Sequence, residues 1–265
     1  MINVGFVMGR YLAACILLFG FSGLATAEPL DVLTGDDYPP FSYVDNSGQL
    51  KGIAVELAEV LFARVGLKEE IQVVHWPKAY AKLLKQPNVL YFSMNRSKAR
   101  QKNFEWIGDV LKERIYLYQK RDRKNIRLNT IADARQYRVG GVKLWDTTAW
   151  LGKQGVAVLE LEESWLGLKL IALGKLDLMA FTELHLAYES ARYGLDPGQF
   201  MKAIEIRQVP LAFAMSKGSN PVLLNKLRKA FKKIRNNGEY QRIYDKYVYQ
   251  DLYDKPAIEA LRKPN

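Results

Sequence analysis

The stretch Tyr38-Pro39-Pro40-Phe41, followed by Asp45-Asn46-Ser47-Gly48 and Gly52-Ile53-Ala54-Val55-Glu56-Leu57, decides how this chain is read. Leu30 to Thr34, just upstream, has the apolar composition of a strand. Two successive prolines fix the backbone after it and bias the preceding residue toward extended geometry. The expectation is a rigid loop that presents Tyr38 and Phe41 outward. An aromatic held in that way loses little entropy when it covers a ligand. Asp45 to Gly48 has turn chemistry, and apolar residues at 53, 57, 60 and 61 predict an amphipathic helix.

Downstream, strand and helix patterns alternate. Helix Ile53 to Val65, strand Ile71 to Val74, helix Trp76 to Lys85 and strand Val89 to Ser93 complete a βαβαβ order. That order argues for an α/β domain with a largely parallel sheet. After an extended segment, Arg114 to Gln119, a second set follows. It comprises strand Arg138 to Val142, helix Thr147 to Lys153, strand Val156 to Leu161, helix Trp165 to Leu173, strand Leu176 to Phe181 and helix Glu183 to Tyr193. Val209 to Ser216 reads as a strand, and Leu224 to Arg235 and Tyr240 to Tyr247 as closing helices. No repeat or Pro/Ser-rich linker divides the two sets.

The first residues predict a destination. Arg10, the apolar run Tyr11 to Ala25 and the small-residue end Ala25-Thr26-Ala27 form a secretory signal peptide over residues 1–27. The run is short of the ~20 residues a bilayer span needs. A start at Met8 instead of Met1 gives the more usual leader layout, and both starts stand. Cleavage leaves 238 of the 265 residues, removes the sole cysteine, Cys15, and takes the formal charge from +11 to +10. A mature chain without thiols has no disulfide and no thiolate site. The basic excess suits an anionic ligand, a membrane surface or nucleic acid. Yet the positive residues are spread along the chain, with clusters only at Lys120 to Arg127 and Lys226 to Arg235. These read as a turn and the wet face of a helix, and no nucleic-acid motif accompanies them.

The aromatic-proline loop resembles the start of the family 3 extracytoplasmic solute-binding proteins, the receptors of polar amino-acid uptake systems. Ser93-Met94-Asn95-Arg96-Ser97-Lys98-Ala99-Arg100, with Glu105-Trp106 beyond it, is similar to the family's Thr-Pro-Glu-Arg segment, whose arginine grips the ligand α-carboxylate. Lys98-Ala99 replaces Pro-Glu. A guanidinium pairs bidentately with a carboxylate whatever the family, and a nearby helix start adds N–H donors. The resemblance makes Arg100 the ligand anchor, with Ser93 and Asn95 at the same ligand end. Tyr38 and Phe41 form one aromatic wall and Trp76 the facing one; a core role for Trp76 stands beside this. Gly141-Val142-Lys143-Leu144-Trp145-Asp146-Thr147 resembles Gly-Val-x-x-Gly-Thr-Thr, which makes Thr147 a ligand residue; Asp146 either is the helix N-cap, the preferred reading, or faces the cleft. Gly174-Lys175-Leu176-Asp177 matches Gly-Arg-x-Asp, with Asp177 structural. Where amino-acid receptors carry an ammonium-binding aspartate this chain has Thr182, followed by Glu183. Glu183 is then either the ammonium acceptor or simply an acid in a first helical turn.

The resemblance implies a two-lobed α/β fold of the type II periplasmic-binding-protein kind, each lobe a mixed sheet flanked by helices, with the ligand cleft between them. Lobe 1 comprises 28–114 plus 210–265, and lobe 2 comprises 115–209. The implied protein is a monomeric periplasmic receptor for a small polar solute, an amino acid or related carboxylate. Its partners are the membrane subunits of an ABC importer. No cofactor and no nucleic acid enter this reading, and His75 and His185 are too isolated for a metal site. Two alternatives stand: a dehydratase-like cleft enzyme using Glu183 as general acid, and a ligand-sensing module for a partner receptor.

Overall fold

The computed structural model describes residues 29–45 and 47–250. The expected signal peptide, with Cys15 and both candidate starts, lies outside the described residues. In chain order the elements are β1 (Asp31–Thr34), β2 (Asp37–Tyr38), β3 (Ser42–Val44), β4 (Leu50–Lys51), α1 (Ile53–Val65), β5 (Ile71–Val73), α2 (Trp76–Lys85), β6 (Val89–Asn95) and β7 (Phe104–Lys120). There follow β8 (Val139–Val142), α3 (Asp146–Lys153), β9 (Val158–Leu161), α4 (Ser164–Ala172), β10 (Leu178–Thr182), α5 (Glu183–Arg192), β11 (Phe200–Ser216), α6 (Pro221–Asn236) and α7 (Glu239–Asp245). Among these, no helix is long and apolar enough to cross a membrane.

One eight-stranded mixed sheet, in the order β5-β1-β6-β11-β7-β10-β8-β9, runs through both lobes. Its spine is the antiparallel pair β7 and β11, in register from Phe200 opposite Lys120 to Ser216 opposite Phe104. β1 pairs in parallel with β5 and β6 in one lobe, and β8 with β9 and β10 in the other. Among the described strands only the pair β7–β11 extends into both lobes, so its middle is where the chain passes from lobe to lobe. The ladder slips register between Glu205 and Arg207 and again between Leu211 and Ala212, near that passage. Such bulges bend and twist a strand, the local freedom a hinge uses.

Each lobe buries both faces of its sheet, so its central strands are apolar on both sides. In lobe 1, Val32 faces a core with Leu57, Leu61, Phe92, Phe213 and Phe231, and Leu33 faces one with Leu83, Tyr91, Met94 and Phe104. In lobe 2 the alternation along β7 divides the same way. Tyr116 and Tyr118 pack with Leu168, Met179 and Phe181, whereas Ile115 and Leu117 pack with Leu151 and Leu178. Helix α1 inserts the stripe Ile53, Leu57, Leu61 and Val65, each fully buried side chain contributing ~1.5–3 kcal/mol. The last helices return to lobe 1. Lys226 donates to Val65 O at 2.7 Å, and Arg64 pairs with Glu239 at 2.8 Å. Helix α6 buries Leu224, Leu227, Phe231 and Ile234, leaving its Lys/Arg cluster on the wet face. Asp177 is structural: Arg138 and Arg123 hold its carboxyl down to about 2 while it ties β8 to the basic turn.

Candidate ligand cleft

The aromatic loop is fixed from three sides. Phe41 N–H donates to Tyr38 O, and the first N–H groups of α1, on Ile53 and Ala54, donate to Pro40 O and Phe41 O at 2.9 Å. The loop thus satisfies donors that a helix start otherwise leaves unmade. Gly52 allows the contact: its φ is +135°, and a Cβ there would lie 2.2 Å from Phe41 O. The consequence for the aromatics differs from expectation. Tyr38 faces the cleft, but Phe41 is 1 % exposed in the lobe 1 core, because docking on α1 turns its ring inward.

Between the lobes lies a cavity of about 90 Å³, lined by Tyr38, Trp76, Ser93, Asn95 and Arg100 from lobe 1. Lobe 2 contributes Lys143, Trp145, Asp146, Glu162 and Glu163. Arg100 is 7 % exposed, with its guanidinium between Trp76 at 5.0 Å and Tyr80 at 5.1 Å. It donates to Leu144 O across the cleft at 3.2 Å. Among the described residues no carboxylate pairs with Arg100. Trp76 is both wall and latch, its Nε1–H donating to Leu144 O at 3.2 Å. Ser93, at φ +72°, is 9 % exposed, and its Oγ has no partner.

Behind the cavity, Glu113 on β7 accepts from Tyr38 Oη at 2.8 Å and from Asn95 Nδ2 at 2.6 Å. Among the described residues no cation pairs with it, and burial pushes its carboxyl up from 4.5 to about 7. Folding therefore favours the protonated form. The associated stability is full below 4.5 and is lost as pH climbs through about 7, on the order of 3 kcal/mol. Glu113→Gln carries no such charge, so its melting temperature is expected to fall less than that of the wild type between pH 5 and 8. Asp37, Glu189 and His185 titrate in both proteins, so thermal melts of the pair isolate Glu113. Parallel profiles would count against the assignment.

The lobes touch directly. Asp146 of lobe 2 accepts from Ser97 Oγ of lobe 1 at 2.5 Å; His185 Nδ1 lies 3.0 Å from Pro39 O; Arg192 meets Asp37 at 3.3 Å. This is a closed conformation. Three expectations change here. Asp146 makes no N-cap bond; Trp145 is the N-cap, and the Asp146 carboxylate bridges the lobes. Thr147, one residue on and turned ~100° around the helix, is buried outside the cavity lining. Glu183 also lies outside the lining: 41 % of its side chain is exposed and it pairs with Lys202 at 2.9 Å. Thr182 caps α5 by accepting from His185 N–H, which starts the helix with Glu183 turned away from the cleft. His185 itself sits beneath the cavity between Tyr38, Trp145 and Phe181 rings, its pKa lowered to about 4 by burial. Sequence reading missed Asp37 and Glu163 as lining residues, which lie far apart along the chain, whereas a cleft-facing Asp146 was one of its two readings. Among the described residues no group of three or more His, Cys, Asp or Glu is arranged to hold a metal ion.

Two lobes on a shared two-stranded spine, closed over a cavity, define a type II periplasmic-binding-protein fold built to hold a small ligand. The chain belongs to the bacterial extracellular solute-binding proteins, family 3, whose profile matches residues 30–250. Solved structures share the fold. A histidine kinase sensor domain with similarity to periplasmic binding proteins is 18 % identical at a TM-score of 0.76, over 84 % of this chain and 97 % of the other. The ligand-binding core of GluR0 from Nostoc punctiforme, in complex with L-glutamate, is 20 % identical at 0.71, over 83 % and 99 %. An ancestral amino acid-binding protein, a precursor of cyclohexadienyl dehydratase, is 24 % identical at 0.69, over 82 % and 94 %. No curated protein matches the chain.

Proposed function

We propose that the protein is a periplasmic receptor that closes lobe 1 (28–114 plus 210–265) and lobe 2 (115–209) on a small polar solute, an amino acid or related carboxylate. It works as a monomer and passes the solute to the membrane subunits of an ABC importer after loss of residues 1–27. The observation that carries this reading is Arg100, a buried guanidinium in the cavity wall that pairs with no carboxylate among the described residues. A ligand carboxylate supplies the planar partner the fork is shaped for. Tyr38, Trp76, Ser93 and Asn95 complete the ligand shell. Amino-acid ligands of neighbours in the same fold, such as the GluR0 core with its L-glutamate, support the class.

The enzyme alternative leaned on Glu183 as a general acid, and that side chain is outside the cavity. The relation of one neighbour to a dehydratase keeps turnover worth assaying. Calorimetry of the mature, unfolded and refolded protein against amino acids and simple organic acids tests the receptor reading. Micromolar binding with no product supports it; conversion of a bound acid overturns it. Glu183→Gln is expected to bind the same ligand within about twofold of wild type, since an exposed ion pair is worth under ~1 kcal/mol. Import is tested separately: deleting the gene should lower cellular uptake of the ligand, whereas a sensor for a partner receptor leaves uptake unchanged.

A further inference from the structure

Glu113 is 2 % exposed on β7, opposite Val209 of β11, close to where the chain passes between the lobes. It does not line the cavity; Tyr38 and Asn95, the two side chains bonded to it, do. They come from β2 and β6, so one carboxyl on the spine fixes two parts of the lobe 1 wall. Among the described residues no charged group pairs with it. Its chain neighbours Lys112 and Arg114 alternate to the other face of β7, and Arg114 pairs with Glu205. Val209, opposite, is apolar, and the groups that act on the carboxyl are Tyr38 and Asn95. Hydrogen-bond chemistry allows two arrangements here. As a carboxylate, Glu113 accepts from Tyr38 Oη at Oε1 and from Asn95 Nδ2 at Oε2, at 2.8 and 2.6 Å. Tyr38 then keeps only lone pairs for the cavity, and a negative charge stands behind the wall. As an acid, Glu113 has one O–H. The amide nitrogen of Asn95 only donates, so the proton belongs on Oε1, where Tyr38 Oη accepts it across the same distance. The Tyr38 O–H is then released, and among the described residues no other acceptor claims it. Burial without a cation favours the acid and raises the carboxyl to about 7.

We propose that Glu113 is a positioning residue that sets what the cleft wall offers a ligand: as an acid it frees the Tyr38 hydroxyl to donate to an anionic group, and as a carboxylate it ties that hydroxyl back. This rests on the reading of the cleft as a carboxylate receptor and deepens it. Glu113 acts through Tyr38 and Asn95. A ligand carboxylate held at Arg100 shares one small cavity with both, so a freed donor and a missing charge favour it together. The anion therefore binds the acid form more tightly, and binding draws a proton from the buffer onto Oε1. The Tyr38 O–H turns from Glu113 to the ligand, and no other bond changes. Affinity is highest while Glu113 is an acid in the free protein. It falls as pH rises through about 7, until the complex has lost the proton as well. Glutamine is a permanent stand-in for the acid, because its carbonyl accepts from Asn95 and its N–H donates to Tyr38.

The probes are propionate, L-alanine and L-glutamate, titrated by calorimetry into the mature wild type and Glu113→Gln at pH 5.5 and 8.5. Asp37, Glu189 and His185 titrate in both proteins, so the ratio of the two affinities isolates Glu113. For the probe that binds best, the two proteins are expected to agree within ~twofold at pH 5.5, with the wild type ~five- to tenfold weaker at pH 8.5. At pH 7.5, two buffers of different ionisation enthalpy should show the wild type taking up ~0.5 proton more than the variant. A purely structural role for Glu113 predicts one ratio at both pH values. Infrared spectra give a ligand-free reading: wild type minus Glu113→Gln should show a protonated-carboxyl band at pH 5.5 that is lost at pH 8.5. Tyr38→Phe removes the acceptor and should shift that band. It should also cost more affinity at pH 5.5 than at pH 8.5, which serves as the test should Glu113→Gln fail to fold. A constant ratio of wild type to Glu113→Gln, or a band that Tyr38→Phe leaves in place, overturns the proposal. If the probes bind with that outcome, the receptor reading survives without it. If no probe binds at either pH, both fall.

Discussion

Arg100→Ala is expected to weaken carboxylate binding by roughly 30- to several-thousand-fold, the ~2–5 kcal/mol lost when a buried charge keeps its place without its partner. The magnitude follows from where the guanidinium sits. It is clamped between Trp76 and Tyr80 and, among the described residues, makes one hydrogen bond, to Leu144 O. Most of its five donors are therefore free for a ligand, and its geometry is set before binding. Arg100→Lys keeps the charge and loses the planar fork and the stacking, so an intermediate affinity is expected. Arg96, four residues earlier, pairs with Asp109 at 3.2 Å and has a partly exposed side chain. Arg96→Ala should cost less than about threefold, since a surface pair contributes under ~1 kcal/mol. Calorimetry of the three variants checks the order. If Arg100→Ala bound as the wild type does, the anchor would lie elsewhere in the cleft.

The largest expected loss of stability belongs to Gly52→Ala. Its backbone, at φ +135° and ψ 164°, is in a region that only glycine occupies readily. A methyl group would also meet Phe41 O at 2.2 Å and Pro40 O at 2.9 Å, both backbone atoms that cannot swing aside. Strain of ~1–3 kcal/mol plus the steric clash gives a cost of ~3–5 kcal/mol. For a chain of this size that lowers the melting temperature by ~10 °C or more. Gly66, which ends α1 at φ +75° and ψ 26° with nothing within 4 Å of its hypothetical Cβ, is the control. Gly66→Ala should cost ~1 kcal/mol. Because the Tyr38 loop rests on Gly52, the first variant should also bind ligand less tightly at temperatures where it is still folded. Equal melting points for the two variants would refute the close-approach account.

Helices α1 and α2 were legible to the residue, since each carries a continuous apolar stripe with Gly52 or Trp76-Pro77 at its start. The short strands of both lobes were legible as apolar runs. The spine was not: only Arg114 to Gln119 and Val209 to Ser216 read as extended, against the full β7 and β11. The reason is physical. A strand that passes from one lobe to the other changes the core it faces at mid-length. The change puts Asp109, Lys112 and Glu113, or Glu205 and Arg207, in the middle of the pattern and breaks its period of two. In the cleft, Tyr38, Trp76, Ser93, Asn95 and Arg100 were legible because each belongs to a local motif. Phe41 and Thr147 were misplaced by a turn of backbone that no motif specifies. Glu183 was misplaced because an acid in a first helical turn points by helix phase, which the Thr182 cap sets. Asp37 and Glu163 come to one cavity only through the tertiary fold, and nothing near either one in the chain signals the other.

The position of β11 also governs the order in which the molecule can assemble. Its second half, from residue 210, lies between β6 and β7 on the lobe 1 side, yet that half is made after all of lobe 2. Until residues near 216 are available, β6 has a bare edge, Phe92 lacks its stacking partner Phe213, and the first half of β7 has nothing to pair with. Lobe 1 must therefore wait for its last central strand, whereas lobe 2, continuous in sequence, has most of its partners early. High contact order of this kind slows folding and leaves an unpaired strand exposed meanwhile. A chain emerging amino-terminus first stays unfinished, and open to chaperones, until nearly all of it has been delivered.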